Sequence, residues 1–132
     1  MMAPSSHSSA ASVKVTEPVI LIRINRLYQP GMTADELYDV TRGSWKVGTR
    51  RDGAEYALAI YKGEVLEVYS IEAWHPGGTT PYKTRVQTNP AGRWEFTGSI
   101  APKPIRSKYV GCSVAHYFLR GSANPVMYVN VP

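Results

Sequence analysis

A two-residue turn between two strand-like segments is the feature that most constrains how this chain can fold. Residues 54–61 (AEYALAIY) and 64–71 (EVLEVYSI) are rich in β-branched and aromatic residues, and only Lys62-Gly63 separates them. Gly63 supplies the positive φ angle that a tight turn needs. The segments are therefore predicted to form a β-hairpin, in which the numbers of paired residues sum to 125 for a two-residue loop or 124 for a three-residue loop with a bulge.

Either register carries the two segments that flank the hairpin to the same end of the sheet. RGSWKVGTRR (residues 42–51) precedes the hairpin, and WHPGGTTPYKTR (residues 74–85) follows it, so Arg50 and Arg51 are expected beside Trp74. An aromatic ring with a neighbouring cation is what stacking on a base and contacting its phosphate require. The candidate nucleic-acid-binding residues are Trp45, Lys46, Arg50, Arg51, Trp74, His75, Tyr82, Lys83 and Arg85.

Upstream of the hairpin, a helix is predicted over residues 33–42. Thr33 as N-cap and Glu36 three residues later form a capping box, and Gly43 follows as a C-terminal glycine. Periodicity and turn residues predict the remaining elements. These are strands at 19–26, 82–86, 93–100 and 126–131, turns at 75–78 and 89–92, and a helix, in one or two pieces, within 105–120.

Five or six strands with two helical segments have little helix to cover both faces of an open sheet. Such a chain is expected to curl into a small barrel. The predicted fold class is therefore α+β, a small mixed and mainly antiparallel β-barrel with two flanking helices. With 132 residues the chain suits one domain, predicted over 17–132, behind a disordered tail over 1–16 that is rich in Ser and Ala.

The whole chain has a net charge of +5, and the excess of basic residues lies in its C-terminal part. Residues 80–132 contain seven Lys or Arg and one acid, whereas residues 1–79 contain eight bases and nine acids. Such asymmetry is typical of proteins that bind polyanions. No run of apolar residues approaches the length of about 20 residues that a membrane-spanning helix needs. The single Cys112 indicates a reducing compartment, so a cytoplasmic protein without membrane partners is expected.

The sequence shows no pattern of metal ligands or of catalytic residues. His75 and His116 lie 41 residues apart, without an acid or cysteine at ligand spacing. No GxSxG, P-loop or dinucleotide-binding fingerprint is present, and nothing orients His116 towards Ser113. We therefore predict no catalytic residue, no metal and no cofactor, and an enzymatic function is left open but not favoured.

The order of the elements resembles that of the PUA-like superfamily, which includes the ASCH, EVE and YTH domains. The shared order is a strand, a capped helix, a Trp-bearing loop, a hairpin, then basic strands and a late helix, over roughly residues 17–132. EVE-like and YTH-like modules recognise modified or flipped bases in aromatic pockets. The resemblance implies that Trp45 and Trp74 are pocket walls here. Some ASCH-like domains are hydrolases or ribonucleases.

Three functions are consistent with the sequence. The favoured one is a module that binds DNA or RNA and recognises a modified or flipped base between Trp45 and Trp74. The second is a small hydrolase or ribonuclease of the same fold, with Lys46 or Lys83 beside a glutamate as the base. The third is a protein-interaction domain in which the two Trp segments are binding hot spots.

Overall fold

The computed structural model describes residues 10–86 and 91–132, which form one mixed sheet with helices. The strands are β1 Val19–Arg23, β2 Tyr56–Tyr61, β3 Glu64–Pro76, β4 Trp94–Ile100 and β5 Val126–Val129. The α-helices are α1 Ala34–Arg42 and α2 Lys103–Tyr109, and two 3₁₀ helices cover Thr49–Gly53 and Ala115–Tyr117. The sheet order is β4-β3-β2-β1-β5, with β1 parallel to β2 and the other pairs antiparallel.

The predicted hairpin between β2 and β3 is confirmed. Tyr61 pairs with Glu64, so the loop has two residues and the partners next to it sum to 125. Lys62 and Gly63 both have positive φ angles, 49° and 83°, which is the turn geometry that follows the twist of two antiparallel strands. A register shift after Ala59 then adds one residue to the β3 side for the rest of the ladder.

Substituting Gly63 with alanine is expected to lower the free energy of unfolding by about 1–2 kcal/mol, because a left-handed backbone is unfavourable for a residue with a Cβ. The added Cβ would also lie 3.0 Å from the Cβ of Ala115. Urea denaturation measures the loss. Gly31→Ala is the matched control, since Gly31 has a φ of +94° and no atom within 4 Å of the added Cβ. Equal losses in the two variants would show that the Ala115 contact contributes nothing.

Helix α1 starts and ends where it is predicted to, but the glycine that follows it does not have the expected conformation. The N–H of Glu36 donates to Thr33 Oγ1 at 3.2 Å, and the N–H of Thr33 donates to Glu36 Oε1 at 2.9 Å, which confirms the capping box. Gly43 has an extended backbone with φ −178° and is not a left-handed C-terminal glycine. Its missing side chain instead makes room for the hydroxyl of Tyr82 and for Glu95, whose Cβ would lie 2.7 Å from an added Cβ.

The sheet does not close into a barrel, so that part of the predicted fold class is wrong, while the mixed and mainly antiparallel α+β class is confirmed. Strands β4 and β5 remain two separate edges. One face of the sheet packs against α1 and the residues that follow it. The other face is covered by α2, the 3₁₀ helix Ala115–Tyr117 and residues 13–15. Because irregular segments add to the helical cover, both faces are buried without closure.

Alternation along the strands divides the buried side chains between these two faces. On β1, Ile20 and Ile22 belong to the α1 side, whereas Val19 and Leu21 belong to the α2 side. Strand β2 repeats the pattern with alanines on the α1 side and larger residues on the α2 side. A period of two with both faces apolar is typical of a strand inside a sheet.

One predicted strand is absent, and one predicted turn begins later than expected. Residues 82–86 contain a bend and no strand, because the N–H groups of Lys83 and Thr84 donate to the carboxylate of Asp39. The helix predicted in one or two pieces within 105–120 is present as two short pieces, the end of α2 and the 3₁₀ helix Ala115–Tyr117, with Gly111 at φ +86° between them. Strand β3 continues to Pro76, into the predicted turn at 75–78. The first half of the predicted turn at 89–92 lies outside the described residues.

The N-terminal segment lies against the domain as far as it is described. Residues 1–9 of the predicted tail are outside the described residues. Beyond them, the N–H of Ser113 donates to the carbonyl of Ala11 at 2.8 Å, and that of Val13 donates to the carbonyl of Ser113 at 3.1 Å. Val15 is 2% exposed. Among residues 10–86 and 91–132, no helix has the length and apolar character to span a membrane.

Candidate anion-binding site

An open cavity of about 730 Å³ lies at the end of β1, where that strand reaches Arg23. Its volume falls within the range of about 300–1,000 Å³ that is usual for small-ligand pockets. Residues 23–27, 43–45, 122, 123 and 125 form most of its wall. Four arginines and no carboxylate are found among the described residues that line it. We call it the arginine cavity, and its arginines are Arg23, Arg26, Arg85 and Arg93.

Two of these arginines are half-buried and are held by backbone carbonyl groups. Arg23 Nη2 donates to the carbonyl of Ser122 at 2.9 Å, and its guanidinium lies 4.3 Å from the centre of the Phe118 ring. Arg93 Nη1 donates to the carbonyl of Ser44 at 3.3 Å. Carbonyls and rings fix the position of a guanidinium without neutralising its charge. These two side chains therefore present positive charge from defined positions.

The other two arginines are exposed. The guanidinium of Arg85 lies 5.3 Å from the centre of the Tyr82 ring, and Arg26 has no hydrogen bond within the described parts of the chain. None of the four arginines forms an ion pair with a carboxylate in residues 10–86 and 91–132. Four positive charges thus border one open space without compensation, an arrangement that favours an anionic ligand.

Trp45 forms the aromatic part of the cavity wall. It is 7% exposed, and its Nε1 donates to the carbonyl of Thr41 at 2.8 Å. Its backbone pairs with Trp94 through two hydrogen bonds of 2.8 and 2.9 Å. The indole is therefore chiefly a core side chain, and only a small part of it is accessible to a ligand in the cavity.

A buried polar network lies next to the cavity, separated from it by Gly43. Arg42 and Glu95 are each 1% exposed. Arg42 donates to the hydroxyl oxygen of Thr80. Glu95 accepts hydrogen bonds from the N–H of Thr80 at 2.8 Å and from the hydroxyl of Tyr82 at 2.9 Å. The network ties the end of α1 and the start of β4 to the segment that leads to Arg85.

The protonation states in this network follow from its contacts. Burial raises the pKa of Glu95, but hydrogen bonds from Thr80, Gly78 and Tyr82 outweigh it and hold the pKa below that of an ordinary glutamate. Burial, followed by the hydrogen bond to Glu95, raises the pKa of Tyr82 far above its usual value. At neutral pH Glu95 is therefore an ionised acceptor and Tyr82 a protonated donor. Both groups therefore use their hydrogen-bonding atoms in structural contacts.

Asp39 holds the bend that precedes Arg85. This residue is fully buried, and its carboxylate accepts hydrogen bonds from the N–H of Lys83 at 3.0 Å and from the N–H and hydroxyl of Thr84, both at 2.6 Å. Arg85 is the next residue, and it lines the cavity. Helix α1 thus places an arginine that lies more than 40 residues further along the chain.

The structure separates the predicted site residues into several groups. Trp45 and Arg85 line the arginine cavity. Tyr82 belongs to the buried polar network. Lys83 forms an exposed ion pair with an aspartate of α1 at 3.4 Å, and Lys46 is exposed. The predicted cluster is therefore divided, and two of its members meet arginines that the sequence analysis did not select.

Arg50 and Arg51 lie elsewhere, because residues 49–53 form a 3₁₀ helix and do not extend the β2 ladder. The guanidinium of Arg51 lies 3.6 Å from the centre of the Trp94 ring. That of Arg50 lies 4.7 Å from the centre of the Tyr128 ring. Their charges thus stack on aromatic rings of the sheet edges, on β4 and β5.

Trp74 and His75 are side chains of β3 that contact β4. The Trp74 ring packs edge-on against Phe96 with 5.4 Å between the ring centres. His75 Nε2 lies 3.0 Å from the hydroxyl oxygen of Thr97. Within the described residues Trp74 does not line the arginine cavity, and no ring contact joins it to Trp45. The two indoles therefore do not form a facing pair.

Three cavity arginines were missed by the sequence analysis: Arg23, Arg26 and Arg93. Their common signal is position at a strand end, since Arg23 closes β1, Arg26 follows it within three residues, and Arg93 directly precedes β4. Charged residues at the ends of buried strands are placed at the rim of a sheet. The sequence alone does not show that these two rims meet.

The fold and the cavity define a mixed α+β domain with an arginine-lined cavity at one end of its sheet. No family model, no curated protein and no solved structure matches this chain. The resemblance to the PUA-like superfamily therefore stays a prediction from the order of the elements.

Proposed function

We propose that this domain binds nucleic acid by holding its phosphates in the arginine cavity. The observation that carries the proposal is the convergence of four guanidinium groups on one cavity whose described lining contains no carboxylate. Guanidinium groups bind phosphate through paired, charge-assisted hydrogen bonds. Phosphate contacts supply a large share of the affinity of most nucleic-acid-binding proteins. The basic excess of residues 80–132 supports the same proposal.

Contact with a base belongs to the same proposal and rests on Trp45. This indole borders the cavity beside the arginines, so a base that enters can touch the ring while its phosphate meets a guanidinium. Trp74 lies on β3 and does not line the cavity, so it is not included in the proposed base pocket. Recognition of a modified or flipped base is accordingly proposed for the cavity wall at Trp45 alone.

The proposal predicts a steep salt dependence of binding that the cavity arginines determine. For a single-stranded oligonucleotide, the logarithm of the association constant should fall linearly with the logarithm of the salt concentration, with a slope of about 0.7 per phosphate contacted. Arg26→Gln and Arg85→Gln should each reduce the affinity by about tenfold or more, because each removes a charge-assisted hydrogen bond. Fluorescence anisotropy over a salt series measures both quantities.

Lys103→Gln is the control for the loss of one charge. Lys103 is exposed on α2, which covers the opposite face of the sheet from the core residues that border the cavity. Its affinity and salt slope should equal those of the wild type. If Lys103→Gln weakened binding as much as Arg26→Gln, overall charge rather than the cavity would be responsible. A flat salt dependence would contradict nucleic-acid binding and favour a protein-interaction domain, and a released product would favour a hydrolase.

A further inference from the structure

The shape of the arginine cavity bears on which part of a nucleic acid it can hold. We infer that it takes the phosphate at the end of a strand, a phosphomonoester, in preference to a phosphodiester within the strand. This inference rests on the proposed function and adds the class of phosphate to it. Two features of the cavity support it: its number of uncompensated charges and the two different settings of its arginines.

The inner wall of the cavity is formed by core residues. Ile24 is 1% exposed and Trp45 is 7% exposed, and both line the cavity. They belong to the same hydrophobic core between the sheet and α1. A group that enters the cavity therefore meets core side chains as well as arginines.

The charge in the cavity also suits a monoester. At neutral pH a phosphomonoester carries about −1.5 to −2 charges and has three terminal oxygens that accept hydrogen bonds. A phosphodiester carries a single negative charge and has two such oxygens. Four arginines without carboxylate partners in the described residues border the one cavity. Their number and their convergence match a compact, doubly charged group followed by the next phosphate of the strand.

The arginines are set in two ways that match these two phosphates. Arg23 and Arg93 are half-buried and held by carbonyls of residues that also line the cavity, Ser122 and Ser44. Their guanidinium groups belong to less exposed residues than those of the other pair. Arg26 and Arg85 are exposed and can meet the following phosphodiester at the mouth. We assign the terminal phosphate to the first pair and the adjoining phosphate to the second.

The test uses the full chain and three oligonucleotides of one sequence, which carry a phosphate at one end, at the other end, or at neither. One phosphorylated form should bind about tenfold tighter than the unphosphorylated one, as expected for added charge-assisted hydrogen bonds. Arg93→Gln should abolish this preference, and Lys103→Gln should retain it. Arg93 is the better choice because Arg23 also braces residues 122–124. A wild-type circular dichroism spectrum and melting curve for Arg93→Gln verify that it folds.

The pH dependence gives a second readout. The preference should fall as the pH drops through about 6, where the monoester takes up a proton, since guanidinium groups keep their charge there. The unphosphorylated oligonucleotide should show no such change.

The inference and the proposed function fail in different ways. Equal affinity for all three oligonucleotides, with a steep salt dependence, would overturn the terminal-phosphate inference and leave the proposed function standing. A preference that survives in a folded Arg93→Gln variant would also overturn the inference, because the phosphate would then bind elsewhere. Absence of binding to all three oligonucleotides would overturn the proposed function itself.

Discussion

Replacing Arg42 with methionine is expected to lower the free energy of unfolding by about 3–5 kcal/mol, the loss that follows removal of one member of a buried charged network. Arg42 is 1% exposed, and its guanidinium lies 5.5 and 4.2 Å from the ring centres of Tyr38 and Tyr82. Methionine fills much of this space but donates none of the hydrogen bonds. It also removes the cation that is linked through Thr80 to the buried carboxylate of Glu95. Chemical denaturation of both proteins measures the loss.

Arg106→Met provides the matched control. Arg106 forms an ion pair of 2.7 Å with Glu67, and the two side chains are 39% and 13% exposed. Because solvent screens a cation this accessible, Arg106→Met should lower the free energy of unfolding clearly less than Arg42→Met does. The same substitution therefore removes a buried cation in one variant and a solvent-accessible one in the other. Comparable losses in the two variants would contradict the importance given to the buried network.

Replacing Trp45 with alanine is expected to cost a further large amount of stability, about 3–5 kcal/mol, as for other buried tryptophans. The ring packs in the core on the α1 side of the sheet. Trp45→Phe keeps most of that packing and loses the hydrogen bond to the carbonyl of Thr41, for about 1 kcal/mol. Differential scanning calorimetry distinguishes the two variants. A loss below 1 kcal/mol for Trp45→Ala would contradict the assignment of this ring to the core.

The Trp45→Phe variant also separates packing from ligand contact. If the indole touches a bound base, oligonucleotide affinity falls in this variant although the protein stays folded. Trp74→Phe is the control, because Trp74 is a partly buried ring that does not line the cavity. Unchanged affinity in a folded Trp45→Phe protein would restrict Trp45 to packing and would remove base contact from the proposed function.

Features that depend on neighbouring residues could be predicted from the sequence. The Lys62-Gly63 turn predicted the hairpin and limited its register to two, of which the structure has the one with a two-residue loop, because Gly63 can adopt the positive φ angle of a tight turn. Thr33 and Glu36 gave the start of α1, since a capping box is complete within four residues. The periodicity of residues 19–26 likewise predicted the strand that forms β1.

Features that depend on contacts between distant residues could not be predicted from the sequence. The barrel was predicted because the cover supplied by residues 13–15 and by Ala115–Tyr117 has no regular pattern in the sequence. The bend before Arg85 forms because the N–H groups of Lys83 and Thr84 donate to Asp39. No pattern in the sequence near these residues indicates that contact. The arginine cavity unites the end of β1 with residues from four other stretches of chain. The sequence contains these arginines, but only the fold brings them together in one cavity.

The hydrogen bonds of the Asp39 carboxylate bear on the conformational entropy of the binding proposed for the cavity. Releasing the bend at Lys83 and Thr84 would strip a fully buried carboxylate of all its described hydrogen-bond donors, so this stretch is far less free to fray than an ordinary surface loop. The backbone next to Arg85 is thus held by these contacts without a ligand. In the phosphate binding proposed above, an arginine on such a preorganised backbone would lose little conformational entropy, and more of its interaction energy would be retained as affinity.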